Sequence, residues 1–136
     1  MRYPIIYVDK LPTGVAGRAN GPVIRILKAY KDDYGLYRHE LLHVIQWFVT
    51  GFIFAVPLLA LGIVFGVWTI FIFGFTAHSL LYWLSDNYRL WAEVSAYREQ
   101  ADHTEGYKLD KYAGFIATRY KLDISPEEAL KLLRGE

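Results

Sequence analysis

The chain has no cysteine. That excludes disulfides and thiolate metal sites, so any metal must be held by histidine and carboxylate. Net charge is only +1. Lys and Arg are scattered without a basic block, so a surface that tracks nucleic-acid phosphates is not expected. The amino-terminal residues Met1-Arg2-Tyr3-Pro4-Ile5 lack the apolar core and cleavage site of a secretory signal. Internal repeats and low-complexity segments are also missing. The largest absence lies inside the chain. No Asp, Glu, Lys or Arg occurs between Glu40 and Asp86, which leaves an uncharged run of 45 residues.

At 136 residues, 54% of them hydrophobic, the chain is one domain with an uneven distribution of apolar residues. A membrane-crossing helix needs roughly 20 apolar residues, so the run can supply two. Helices that are apolar all round must be buried in something. The rest of the chain is too polar and too short to wrap them. The run, about residues 44–85, is therefore expected to enter a bilayer as a helical hairpin; an apolar interface between copies of the chain is the main rival. Pro57 should kink or bend the first limb, Ala60-Leu61-Gly62 should form the tip, and a second helix should run from about residue 63 to 87. Gly51, Gly62, Gly66 and Gly74 suit close helix contact. Trp47 and Phe48 at one base, with Tyr82, Trp83, Tyr88 and Trp91 at the other, resemble an interfacial aromatic belt. The cationic residues lie outside the run, which puts the rest of the chain on the cytoplasmic side by the positive-inside tendency.

Before the run, Ile5-Ile6-Tyr7-Val8 reads as a strand. Leu11-Pro12-Thr13-Gly14 and residues 17–22 have turn chemistry. Val15-Ala16 and Val23-Ile24-Arg25-Ile26-Leu27 are expected to form a hairpin or two strands of a small sheet. Asp32 or Asp33 can cap a helix from about Tyr34. After the run, residues 88–100 and 109–120 read as helices. Ser125-Pro126-Glu127-Glu128 starts a last one with a capping box. The fold class is α+β, mostly α.

The helix from Tyr34 carries His39-Glu40-Leu41-Leu42-His43, an H-E-x-x-H pattern. Residues four apart share a helix face, so both imidazoles can bind one metal ion with Glu40 beside them to polarise water. Catalytic zinc takes three protein ligands and keeps one position open. The metzincin offsets after His43 hold Gln46 and Val49, so that branch is excluded. Glu93, in Trp91-Ala92-Glu93-Val94-Ser95-Ala96-Tyr97, is the favoured third ligand; Glu99, Asp102 and His103 are alternatives. A closed hairpin would bring the Glu93 helix beside the HExxH helix. His78, inside the apolar run, is read chiefly as a hydrogen-bonded interhelical residue.

H-E-L-L-H followed by E-x-x-A resembles the gluzincin type of zinc metallopeptidase, in its minimal bacterial and phage forms. Residues 18–26 resemble the strand before the active helix of such proteins, and residues 112–129 resemble their C-terminal helices. The resemblance implies a zincin-like fold, Zn2+ held by His39, His43 and Glu93, and Glu40 as general base. It also implies an extended peptide or protein substrate paired on the strand near Val23–Leu27. An Asp often stands four residues after the ligand Glu; here that place is Tyr97. Zinc would make its bound water acidic, Glu40 would pass a proton to the leaving amine, and Tyr97 or His103 would help stabilise the oxyanion. Two other functions compete: a non-catalytic membrane or assembly protein with a structural metal site, and a zinc hydrolase of another amide.

Overall fold

The computed structural model describes residues 3–106 and 109–136. Met1 and Arg2, part of the amino-terminal reading above, lie outside the described residues. Strands β1 (Ile5–Val8), β2 (Gly17–Asn20) and β3 (Val23–Leu27) precede α1 (Tyr34–Phe65), a 3-10 stretch (Trp68–Thr76), α2 (Ala77–Leu84), α3 (Asp86–Asp102), α4 (Leu109–Arg119) and α5 (Pro126–Arg134). The α+β, mostly α expectation holds.

The sheet order is β1-β3-β2, with β1 parallel and β2 antiparallel to β3. Two expectations change here. Val15-Ala16 were read as a strand and residues 17–20 as turn; the strand, β2, instead starts at Gly17, and the turn is Gly21-Pro22, between Asn20 and its partner Val23. Strand β3 was expected to offer a free edge to substrate. It is the central strand, hydrogen-bonded on both sides, because its isoleucines Ile24 and Ile26 point into the core beneath α1. The edge beside the HExxH helix belongs to β2.

Asp33 caps α1, its Oδ1 accepting from the Leu36 amide at 2.8 Å. The first turns of α1 bury Leu36, Tyr37 and Val44 against β3. The helix then runs through Pro57 and through residues 60–62 without a break. The expected tip is thus displaced. Gly62 stays helical because the returning chain packs on it: a Cβ there would lie 2.7 Å from the Val67 carbonyl oxygen. The turn falls at Gly66, whose φ of 73° is left-handed and suits glycine. The return limb is also not one long helix. It is a 3-10 stretch, then α2, and Ser85 ends α2 and caps α3 through the Tyr88 amide.

The limbs lie antiparallel and close. A Cβ on Gly51 would meet the Phe75 ring at 2.5 Å, and one on Gly74 would lie 2.4 Å from the Ala55 backbone nitrogen. Backbone on the far side cannot swing away as a side-chain tip can. Gly74→Val is therefore expected to cost roughly 1–3 kcal/mol of stability, read as a lower melting temperature in detergent. An unchanged melting temperature would show that the limbs are not in contact there.

Helix α3 runs back along α1. Gln46 bonds the Ala92 carbonyl, Arg38 bonds Glu99, and Gly35 admits Thr104 and Gln100. The other face of α3 joins α4 and α5 in a second core of Val94, Tyr97, Tyr112, Ile116 and Leu133. The expected capping box of α5 is present at Ser125 and Glu128. The sheet and the α3–α5 layer thus hold the first turns of α1 between them.

Candidate metal centre

His39 and His43 project from one face of α1. Their Nε2 atoms are 3.2 Å apart. Glu93 enters from α3, with Oε2 3.7 Å from His39 Nε2 and Oε1 3.5 Å from His43 Nε2. One ligand atom from each residue falls within 4.8 Å of the others. The alternatives for the third position lie elsewhere. Glu99 pairs with Arg38, Asp102 is exposed, and His103 bonds the Glu99 carbonyl on the surface. Glu93 is not the surface partner of Arg89 that an i−4 spacing permits. It is 1% exposed, and Arg89 bonds Asp86 and the Tyr82 carbonyl instead.

The donor set fits a metal ion on its own observations. Glu93 Oε2 is buried and has no hydrogen-bond partner among the described residues. Burial, and then the neighbouring His43, hold the His39 imidazole well below its usual pKa, so it is neutral and able to donate a lone pair. Three groups that would repel or desolvate one another gain a common partner in a cation. The metal's identity follows only from class: two imidazoles and one carboxylate suit zinc and its neighbours.

The candidate ligands are held from behind. Gln46 Oε1 lies 2.9 Å from His43 Nδ1, and Gln46 Nε2 donates to the Ala92 carbonyl at 3.2 Å. With Gln46 accepting, the proton of His43 sits on Nδ1 and Nε2 is left bare. The Tyr97 ring packs edge-on against His39, centroids 4.5 Å apart, and Gln100 and the Ala96 backbone also interact with that imidazole. Tyr82 Oη donates to Glu93 Oε1 at 2.5 Å. Losing an outer partner of a metal ligand typically costs 10–100-fold in metal affinity. If zinc binds this group, Gln46→Leu is expected to weaken its binding by about that factor, measured by competition with a chromogenic chelator. Unchanged affinity would show that His43 needs no such partner.

Glu40 is 5% exposed and lies against β2. Gly17 makes room for it: a Cβ there would sit 2.8 Å from Glu40 Oε1. Burial, then the Glu93 carboxylate, push Glu40 up to about 8, while the Ala19 backbone and Arg18 act in the opposite sense. A cation at Glu93 would cancel the second cause and return Glu40 toward the ionised form.

These groups line a cleft of about 490 Å³. One wall is β2 with Gly21. Trp47, His78, Ser79 and Tyr82 from the bases of the hairpin line the cleft as well. The expected oxyanion donors, Tyr97 and His103, do not line it. Tyr120 does, and its hydroxyl lies 2.9 Å from that of Tyr97. Burial raises the pKa of both phenols, so both are protonated donors at neutral pH. His78 keeps the hydrogen-bonded interhelical place expected of it: Nδ1 lies 2.8 Å from Tyr88 Oη, which in turn meets Thr50 Oγ1.

Sequence reasoning missed Gly17, Tyr82 and Tyr120 as site residues and passed over Gln46. Gln46 had a signal, its i+3 place beside His43. The others reach the site only through tertiary packing. Comparison with models of known protein families, with curated proteins and with solved structures finds no match.

Proposed function

We propose that this protein is a membrane-attached, zincin-like zinc metallopeptidase. The observation that carries the reading is the meeting of His39, His43 and Glu93 in a cleft that also holds Glu40 and an edge strand. Zinc held by these three residues would supply Lewis acidity and an acidified water. Glu40 would accept a proton at its carboxylate and return it to the leaving amine. Tyr120, supported by Tyr97, would donate a hydrogen bond to the developing oxyanion. The β2 edge would hold an extended peptide through backbone hydrogen bonds. A structural metal site usually closes with a fourth protein ligand; among the described residues, the group has three. That favours the hydrolase over the non-catalytic alternative. Zinc-loaded protein in detergent is expected to cut an unfolded polypeptide, and to stop on chelation. A correctly loaded protein that cuts nothing would sink the reading.

The hairpin supports membrane attachment. Helix α1 is long and apolar enough to cross a bilayer. Its residues 44–65 extend about 33 Å and the return limb about 30 Å, against a hydrocarbon core of roughly 30 Å. Phe52, Ile53, Val56, Ile63, Val64 and Phe65 are all more than half exposed, which water would penalise and lipid would not. Trp68 stands exposed at the tip, with Trp83 and Trp91 at the base, as expected of aromatic residues at two interfaces. All Lys and Arg lie beyond the base, which favours a cytoplasmic site. After expression, carbonate washing should leave the chain in the membrane pellet. A soluble, monodisperse oligomer would favour instead a hairpin that packs against copies of itself.

A further inference from the structure

The cleft has a direction. Strand β2 starts where Gly17 meets Glu40 and ends where Gly21 approaches Trp47: a Cβ on Gly21 would lie 3.3 Å from the indole. Glu40 and Trp47 are both on α1, so seven residues, about 10 Å of helix rise, separate them. Trp47 lies at the base of the uncharged hairpin. The β2 edge therefore runs from the carboxylate toward the level at which the hairpin would enter lipid. Hairpin residues Trp47, His78, Ser79 and Tyr82 line the same cleft as β2.

From this alignment, and resting on the hydrolase and bilayer readings above, we infer the substrate class. The substrate is the juxtamembrane segment of a membrane-embedded polypeptide, cut a few residues outside the lipid. A chain leaving the bilayer beside Trp47 meets the β2 edge end-on and continues along it to Glu40. An extended chain advances about 3.3 Å per residue, so it covers the distance in about three residues. A soluble loop has no such guide and must enter a cleft lined in part by the membrane anchor itself. Strand β2 runs toward the membrane, and antiparallel pairing is the more stable. The emerging chain therefore runs amino to carboxyl out of the lipid, with its cut tail following its apolar span.

The test uses the whole chain, zinc-loaded, in phosphatidylcholine–phosphatidylglycerol vesicles. Three synthetic peptides are compared at equal concentration: a leucine–alanine span followed by a polar tail, the same with a four-residue Gly-Ser spacer between span and tail, and the tail alone. A soluble unfolded protein is the control. The anchored tail should be cut at least 10-fold faster than the free tail. Mass spectrometry should place the cut about three to four residues beyond the span, and the spacer should leave that distance unchanged. Equal rates for free and anchored tails, with a cut that follows tail sequence, would overturn the inference and leave the peptidase standing. So would cleavage of the soluble control with neither anchored peptide touched. If the loaded protein cuts nothing, the peptidase reading fails and takes the inference with it. A peptide with the tail before the span should be cut more slowly; faster cutting would refute the antiparallel sense.

Discussion

Purified with zinc present, the wild-type chain is expected to carry about one zinc, and His39→Ala, His43→Ala and Glu93→Ala none that survives dialysis. Three ligands are the usual protein share of a catalytic zinc site, and each supplies a first contact that no neighbour can replace. The nearest carboxylate, Glu40, is turned toward β2 by the space at Gly17, so it is not free to substitute for Glu93. Elemental analysis of the four proteins decides the matter. Zinc retained in Glu93→Ala but lost in the histidine variants would move the third ligand away from α3. No zinc in any protein would reduce the HExxH spacing to coincidence. The same variants have a second readout. Removing Glu93 also removes a charge that helps hold the Glu40 proton, so metal-free Glu93→Ala should titrate Glu40 at lower pH than metal-free wild type. That shift would show the two carboxylates to be neighbours even without a metal.

Glu40→Gln is expected to keep its zinc and lose peptide hydrolysis by roughly 10²–10⁴-fold or more. The substitution preserves size and one hydrogen-bonding oxygen, so the contact with β2 survives while proton transfer does not. Zinc content and turnover measured on the same sample separate the two effects. Full activity with bound zinc would exclude Glu40 as the base; joint loss of zinc and activity would recast it as part of the metal's support. Tyr120→Phe offers a second comparison: it removes a donor at the cleft and also a hydrogen-bonding neighbour of Glu93, so zinc content is measured beside turnover to separate the two effects. Removing one oxyanion donor costs about 10²–10³ in kcat elsewhere, and a smaller loss here would assign the donor role to another group on the cleft wall.

The amino-acid sequence by itself determined the helix caps, the HExxH face and the lipid-like composition of the middle of the chain. Those features are local. Asp33 and Ser125 act within one turn, His39 and His43 are one turn apart, and the absence of charge needs no geometry to be read. It also favoured Glu93 over three alternatives as the partner of the two histidines, because the return of an antiparallel hairpin limits what can stand beside them, and the structure places Glu93 there. The hairpin's shape was less legible. Gly62 and Gly66 look alike in sequence, and Gly66 became the turn because Gly62 was needed for contact with the returning backbone. The sheet went the same way. Residues 17–20 carry turn-prone types, yet they form a strand because β3 offers hydrogen bonds and Glu40 needs a neighbour without a Cβ at Gly17. Only tertiary structure decided that β3 would be central and β2 the edge, that Tyr120 rather than Tyr97 would face the cleft, and that Tyr82 would hold Glu93. Each depends on packing between segments far apart in the chain, where no local periodicity carries the information.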